Sequence, residues 1–151
     1  MGDRAGPFIM KPFLELTDQD MKPGVDVGFY GAMNFSKAVL PLMLSHTANG
    51  TDPSKHAALL FTGATAAMRG GAKRAALAPA KFAQRALAQS LAREFGPMGV
   101  HVAHVIVDGI IDTENVRKKL GEPSTPGAVR SCPCRPFRHR ADTGVTVARH
   151  G

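Results

Sequence analysis

A chain of 151 residues with 44% hydrophobic side chains can build one modest domain and is short for two. No apolar run approaches the ~20 residues that span a bilayer, and the opening MGDRAGPFIMKPF lacks the basic and apolar blocks of a signal peptide. A soluble, cytoplasmic protein is expected. The net charge of +7 is uneven: residues 1–116 hold 11 Lys+Arg against 10 Asp+Glu, whereas residues 117–151 hold 8 against 2. The basicity belongs to the tail, where it could give weak, salt-sensitive binding to nucleic acid or an acidic surface. With no aromatic interleaving beyond Phe137 and no folded recognition motif, a nucleic-acid partner is not expected.

In chain order, ELTDQDM opens a helix, with Thr17 as its cap and Asp20 three residues on in a weak capping box. Pro23-Gly24 is expected to interrupt it. The apolar run VDVGFYGAMNFSKAVLPLML predicts a long helix from Val25 to about Met43, kinked or ended early at Pro41. SHTANGTDPSK reads as a loop, and HAALLFTGAT as a buried parallel strand. A helix follows over residues 78–95, its start fixed by Pro79, which only the first turn tolerates. Ala80, Ala83, Leu87 and Leu91 form its stripe, widened by Phe82, Ala86 and Phe95, which predicts burial against a sheet and a second helix. Gly96-Pro97 stops it, and GVHVAHVIVDG is the next strand. Strand, helix, strand in this order is a βαβ unit with parallel strands. On that second strand His101 and His104 stand three apart and so face opposite ways, which argues against a shared metal.

After Leu120 the periodicity fades, and residues 121–151, rich in Pro, Gly and Arg, read as a disordered tail in which TGVTVA has the pattern of a short strand. Cys132 and Cys134 are separated by one proline, too close for an unstrained disulfide. With His139 and His150 they fit no compact zinc finger, so no metal is expected. Asp108, Asp112 and Glu114 read as a solvated loop, and Arg117-Lys118-Lys119 as a solvated helix end.

Several blocks carry a resemblance. GPFIMKPFLELTDQDM, GFYGAMNFSKAVLPLML, ALLFTGATAAMRGG and AKFAQRALAQSLAREFGPMGVHVAHVIVDGIIDT, taken collinearly over residues 6–116, resemble the later part of a short-chain dehydrogenase/reductase. The resemblance implies an α/β fold with a doubly wound parallel sheet, here an incomplete Rossmann-like one without its first nucleotide-binding strands. It also implies NAD or NADP as cofactor and hydride transfer between an alcohol and a carbonyl. In that family a tyrosine exchanges the proton, and a lysine one helical turn on lowers its pKa and holds the nicotinamide ribose. A serine polarises the substrate oxygen, and an asparagine on the preceding helix orders a water.

Lys81 matches the lysine, and Leu77 stands at the tyrosine position. The serine position falls at Ala64 or Thr65, of which Thr65 has a hydroxyl; Gly28 stands at the asparagine position. Asp108-Gly109-Ile110-Ile111-Asp112-Thr113 matches the cofactor-contacting Pro-Gly-x-x-x-Thr loop with Asp for Pro, so Lys81, Gly109 and Thr113 are the cofactor-binding candidates. TGATAAMRGG does not have the glycine spacing of a phosphate-cradling turn. These departures count against independent activity. The sequence after Glu122, unlike the family, fits a shifted reading frame or an altered gene end. The resemblance also implies self-association, or pairing with full-length relatives, through residues 25–43 and 78–95. A non-catalytic interaction protein is therefore the alternative reading.

Overall fold

The computed structural model describes residues 9–48 and 57–109, with the backbone of residues 145–148. Thr17 and Asp20 do close a capping box on helix α1 (Asp18–Val25). The Asp20 amide donates to Thr17 Oγ1 at 3.3 Å, and the Thr17 amide donates to Asp20 Oδ2 at 3.0 Å. Lys11 Nζ and the Thr17 hydroxyl reach the same carboxylate oxygen at 3.0 and 2.9 Å. The Thr17 amide first, then Lys11, hold the Asp20 carboxyl down from its ordinary 3.8 to about 2.

Pro23-Gly24 does not interrupt the helix. The chain turns on through Val25 into a π-helical segment, Asp26–Gly31, and then into helix α2, Ala32–Ala48. Gly24 is buried, and a Cβ on it would stand 2.7 Å from the Ala76 carbonyl oxygen. Only glycine permits that approach of helix to backbone, and the α-helical pattern gives way to the π segment after Val25, two residues past Pro23, which cannot donate a backbone hydrogen bond. Pro41 likewise lies inside α2 instead of ending it. Pro41 is exposed, while Val39, Leu40, Met43 and Leu44 around it pack into the core and carry the helix past it.

Strand β1 (Ala57–Ala64) and strand β2 (Val100–Val107) pair in parallel, from Ala57 opposite Val100 to Ala64 opposite Val107. One face of the pair, carrying Leu59, Phe61, Val100 and Val102, packs under Leu40 of α2 and Ala88 of helix α3 (Ala78–Phe95). Each large apolar side chain buried there contributes about 1.5–3 kcal/mol. On the other face of β1, Ala58, Leu60 and Thr62 are exposed. Helix α3 begins where Pro79 predicts, and Ala80 and Ala88 are buried, but Phe82 and Ala86 face outward, so its apolar girdle is narrower than the sequence suggests.

A 3-10 turn, Gly96–Met98, follows α3, and Gly99 at φ +85° reverses the chain into β2. The register puts buried His104 on the core face and exposed His101 on the other. A third strand, β3 (Val145–Ala148), lies antiparallel on β2 and gives the order β1-β2-β3. The strand pattern in TGVTVA is thus realised, and the sheet has three strands where the βαβ unit alone supplies two. The other tail residues, including Cys132, Cys134 and His139, lie outside the described residues, as do Asp112, Glu114 and Arg117-Lys118-Lys119. No helix among the described residues is long and apolar enough to cross a membrane.

Candidate functional site

Two parallel strands ending side by side bring whatever follows them together. Thr65 is the first residue after β1, opening the 3-10 turn Thr65–Ala67, and Asp108 is the first after β2. Because Ala64 is opposite Val107, the next two residues meet, and the Thr65 hydroxyl donates a hydrogen bond to Asp108 Oδ1. Thr65 is half-buried and Asp108 exposed, with half-buried Gly109 beside it. Of the two positions open for the serine, Ala64 still belongs to β1, and Thr65 is the one with a hydroxyl in place.

The turn at Thr65–Ala67 packs against α3. The N-terminus of that helix is built by the preceding loop: Arg74 donates to Gly71 O, Leu77 to Arg74 O at 3.0 Å and Ala78 to Arg74 O at 2.9 Å. Leu77 is the capping residue, and the Lys81 amide donates back to the Leu77 carbonyl at 3.3 Å. Positions 77 and 81 are therefore one turn apart, as the spacing requires. Lys81 is half-buried, and its Nζ reaches Gln84 Oε1 at 3.4 Å. Gly28 also reaches this end of α3: a Cβ on it would stand 3.3 Å from the Ala80 Cβ, next to Lys81. Positions 28, 77 and 81 thus converge on the first turn of α3, where the resemblance assigns the asparagine, tyrosine and lysine. Thr113 lies outside the described residues.

Gly63 has a different explanation from phosphate binding. A Cβ on it would stand 2.2 Å from His104 Cε1, so the glycine makes room for the buried imidazole. The space beside Gly63 near the end of β1 is filled by the imidazole and offers no phosphate cradle there. A cleft of about 510 Å³ lined by Ala58, Ala92, Gly96, Gly99, Val100, His101 and Val102 lies at the beginning of β2, the opposite end of the strand from Asp108. It holds none of the residues just described.

Sequence reasoning missed the role of Asp108 as the partner of Thr65. The signal was available: two in-register parallel strands place their following residues side by side. It needed the register, which spacing alone does not give.

A model of the short chain dehydrogenase family matches residues 3–123. This chain belongs to that family. Among solved structures it is similar to a short-chain dehydrogenase from Rhodopseudomonas palustris, at 39% identity and TM-score 0.61, over 68% of this chain and 45% of that one. A 4-hydroxyisoleucine dehydrogenase mutant complexed with NADH and succinate matches at 23% identity and TM-score 0.65, over 77% of this chain and 44% of that one. A short chain oxidoreductase from Pseudomonas aeruginosa PAO1, described as NADPH-bound with an atypical catalytic center, matches at 23% identity and TM-score 0.64, over 76% and 41%. The latter two share the fold. This short-chain dehydrogenase chain spans less than half the length of each of these structures. No curated protein matches it.

Proposed function

We propose that this chain carries the substrate end of an NAD- or NADP-dependent alcohol/carbonyl oxidoreductase site whose proton-transfer position is filled by Leu77. One observation carries the reading: the Lys81 amide bonds the Leu77 carbonyl at 3.3 Å, which sets the lysine one turn from a side chain with no exchangeable proton. The NADH and NADPH complexes of the structural relatives support the cofactor class.

The residues present fit the nicotinamide end of such a cofactor. Lys81 is half-buried on the first turn of α3, and Gly109, with no side chain, follows Asp108 past the end of β2. Gly63 offers no cradle for the pyrophosphate, since the His104 ring fills the space beside it. When bound, the nicotinamide supplies the hydride acceptor or donor. Lys81 orients its ribose, and Thr65 contacts the substrate oxygen. Position 77 then ought to move the hydroxyl proton, and a leucine cannot.

The reading predicts that the full chain, given NAD+ or NADP+ and a panel of secondary alcohols, turns over at the uncatalysed background. Steady turnover well above background overturns it.

A second reading is favoured by exposed apolar side chains. Phe35 (58% exposed) and Leu42 (70%) lie seven residues apart on one side of α2, and Phe82 (42%) is exposed on α3. In this reading the chain is a non-catalytic partner that pairs with itself or with full-length relatives through residues 25–43 and 78–95.

A further inference from the structure

We propose that Asp108 is a positioning residue that turns the Thr65 hydroxyl into a hydrogen-bond acceptor, so that the end of β1 receives ligands bearing a hydroxyl donor in preference to the matching carbonyl. The inference rests on the reading above in one respect, that the ligand oxygen lies at Thr65.

A threonine hydroxyl has one proton and two lone pairs, whereas a carboxylate only accepts. In the Thr65–Asp108 pair the proton must therefore come from Thr65, and Oγ1 is the donor to Asp108 Oδ1. A hydrogen bond to a charged acceptor is about twice as strong as a neutral one, so the proton is not readily redirected. What remains at Oγ1 is its lone pairs. An alcohol O–H can donate to them. A ketone oxygen, which needs a donor, finds none at Thr65, and the neighbouring carboxylate repels its partial negative charge.

The arrangement is fixed by backbone. Thr65 and Asp108 continue the Ala64–Val107 register by one residue. The turn that holds Thr65 is closed by Met68 donating to Thr65 O at 2.9 Å and is packed on α3. Asp108→Asn changes the outcome with little change of shape. Its amide can donate to Oγ1, which releases the Thr65 proton toward a ligand.

The experiment uses the full chain, isotope-labelled, with cyclohexanol and cyclohexanone as a matched probe pair, following the Thr65, Asp108 and Gly109 amides by heteronuclear NMR. In the unaltered chain cyclohexanol should bind at least about threefold more tightly than cyclohexanone, a modest factor suited to an exposed hydrogen bond. D108N should bring that ratio to one or reverse it, and T65V should remove the discrimination. A ketone preference in the unaltered chain overturns the proposal. So does a ratio unmoved by D108N, or the absence of response to either probe. If D108N fails to fold, the ratio in the unaltered chain alone decides. Cofactor binding is measured separately: alcohol preference in a chain that ignores NADH leaves the Thr65–Asp108 inference standing and removes the oxidoreductase reading.

Discussion

Gly63→Ala should destabilise the protein by about 3 kcal/mol, the upper part of the ordinary range for forcing a methyl into a packed interior. The added Cβ would stand 2.2 and 2.3 Å from two ring atoms of His104, distances no real Cβ keeps. His104 is 1% exposed and sits on β2 opposite Phe61, whose side chain is part of the core, so the ring has no open direction in which to retreat. With a urea m value of about 1.5 kcal/mol/M, the unfolding midpoint should fall by ~2 M. The cause is specific and can be isolated. In a His104→Ala background the same glycine substitution should cost less than about 1 kcal/mol, because the clashing ring is gone. Strictly additive costs would mean that Gly63 is needed for another reason, and the packing explanation of this glycine would fail with it.

Leu77→Tyr should install a phenol that titrates about one unit below its ordinary value of about 10. The Lys81–Leu77 backbone bond fixes a one-turn separation, and an ammonium at that range favours the phenolate. Ultraviolet difference titration against the parent chain separates the new phenol from Tyr30, the single tyrosine of the sequence. Lys81→Met in the same background should return the phenol to the ordinary range. If the rest of the oxidoreductase site is intact, Leu77→Tyr should also raise alcohol oxidation about a hundredfold over the parent, the low end of what a positioned acid–base group supplies. A phenol that titrates near 10 with or without Lys81 would mean that the first turn of α3 does not hold the two side chains together.

What the sequence made legible was mainly local. The Thr17–Asp20 box, the Pro79 helix start and the Gly96-Pro97 stop depend on residues a few positions apart. The two apolar strands and the helix between them follow from periodicity and give the parallel pair directly. The features that escaped depend on contacts between distant residues. Gly24 is needed because its backbone lies against Ala76, fifty-two positions away, and α2 passes Pro41 because its neighbours are in the core. Strand β3 pairs with β2 across a long stretch of chain, where its short pattern gives no hint of its partner. At the candidate site, Lys81 and Leu77 were readable from their spacing and the family pattern. The Asp108 partner of Thr65 was not, because it depends on strand register.

The central claim is that a nicotinamide end survives here beside a disabled proton-transfer position. Its most direct test is a circular-dichroism melt of the full chain, with and without NADH and NADPH. A ligand that prefers the native state raises the melting temperature. The account predicts one cooperative transition that moves upward with one of the two cofactors at millimolar concentration. A cooperative melt indifferent to both would contradict it, and would favour the interaction protein suggested by Phe35, Leu42 and Phe82.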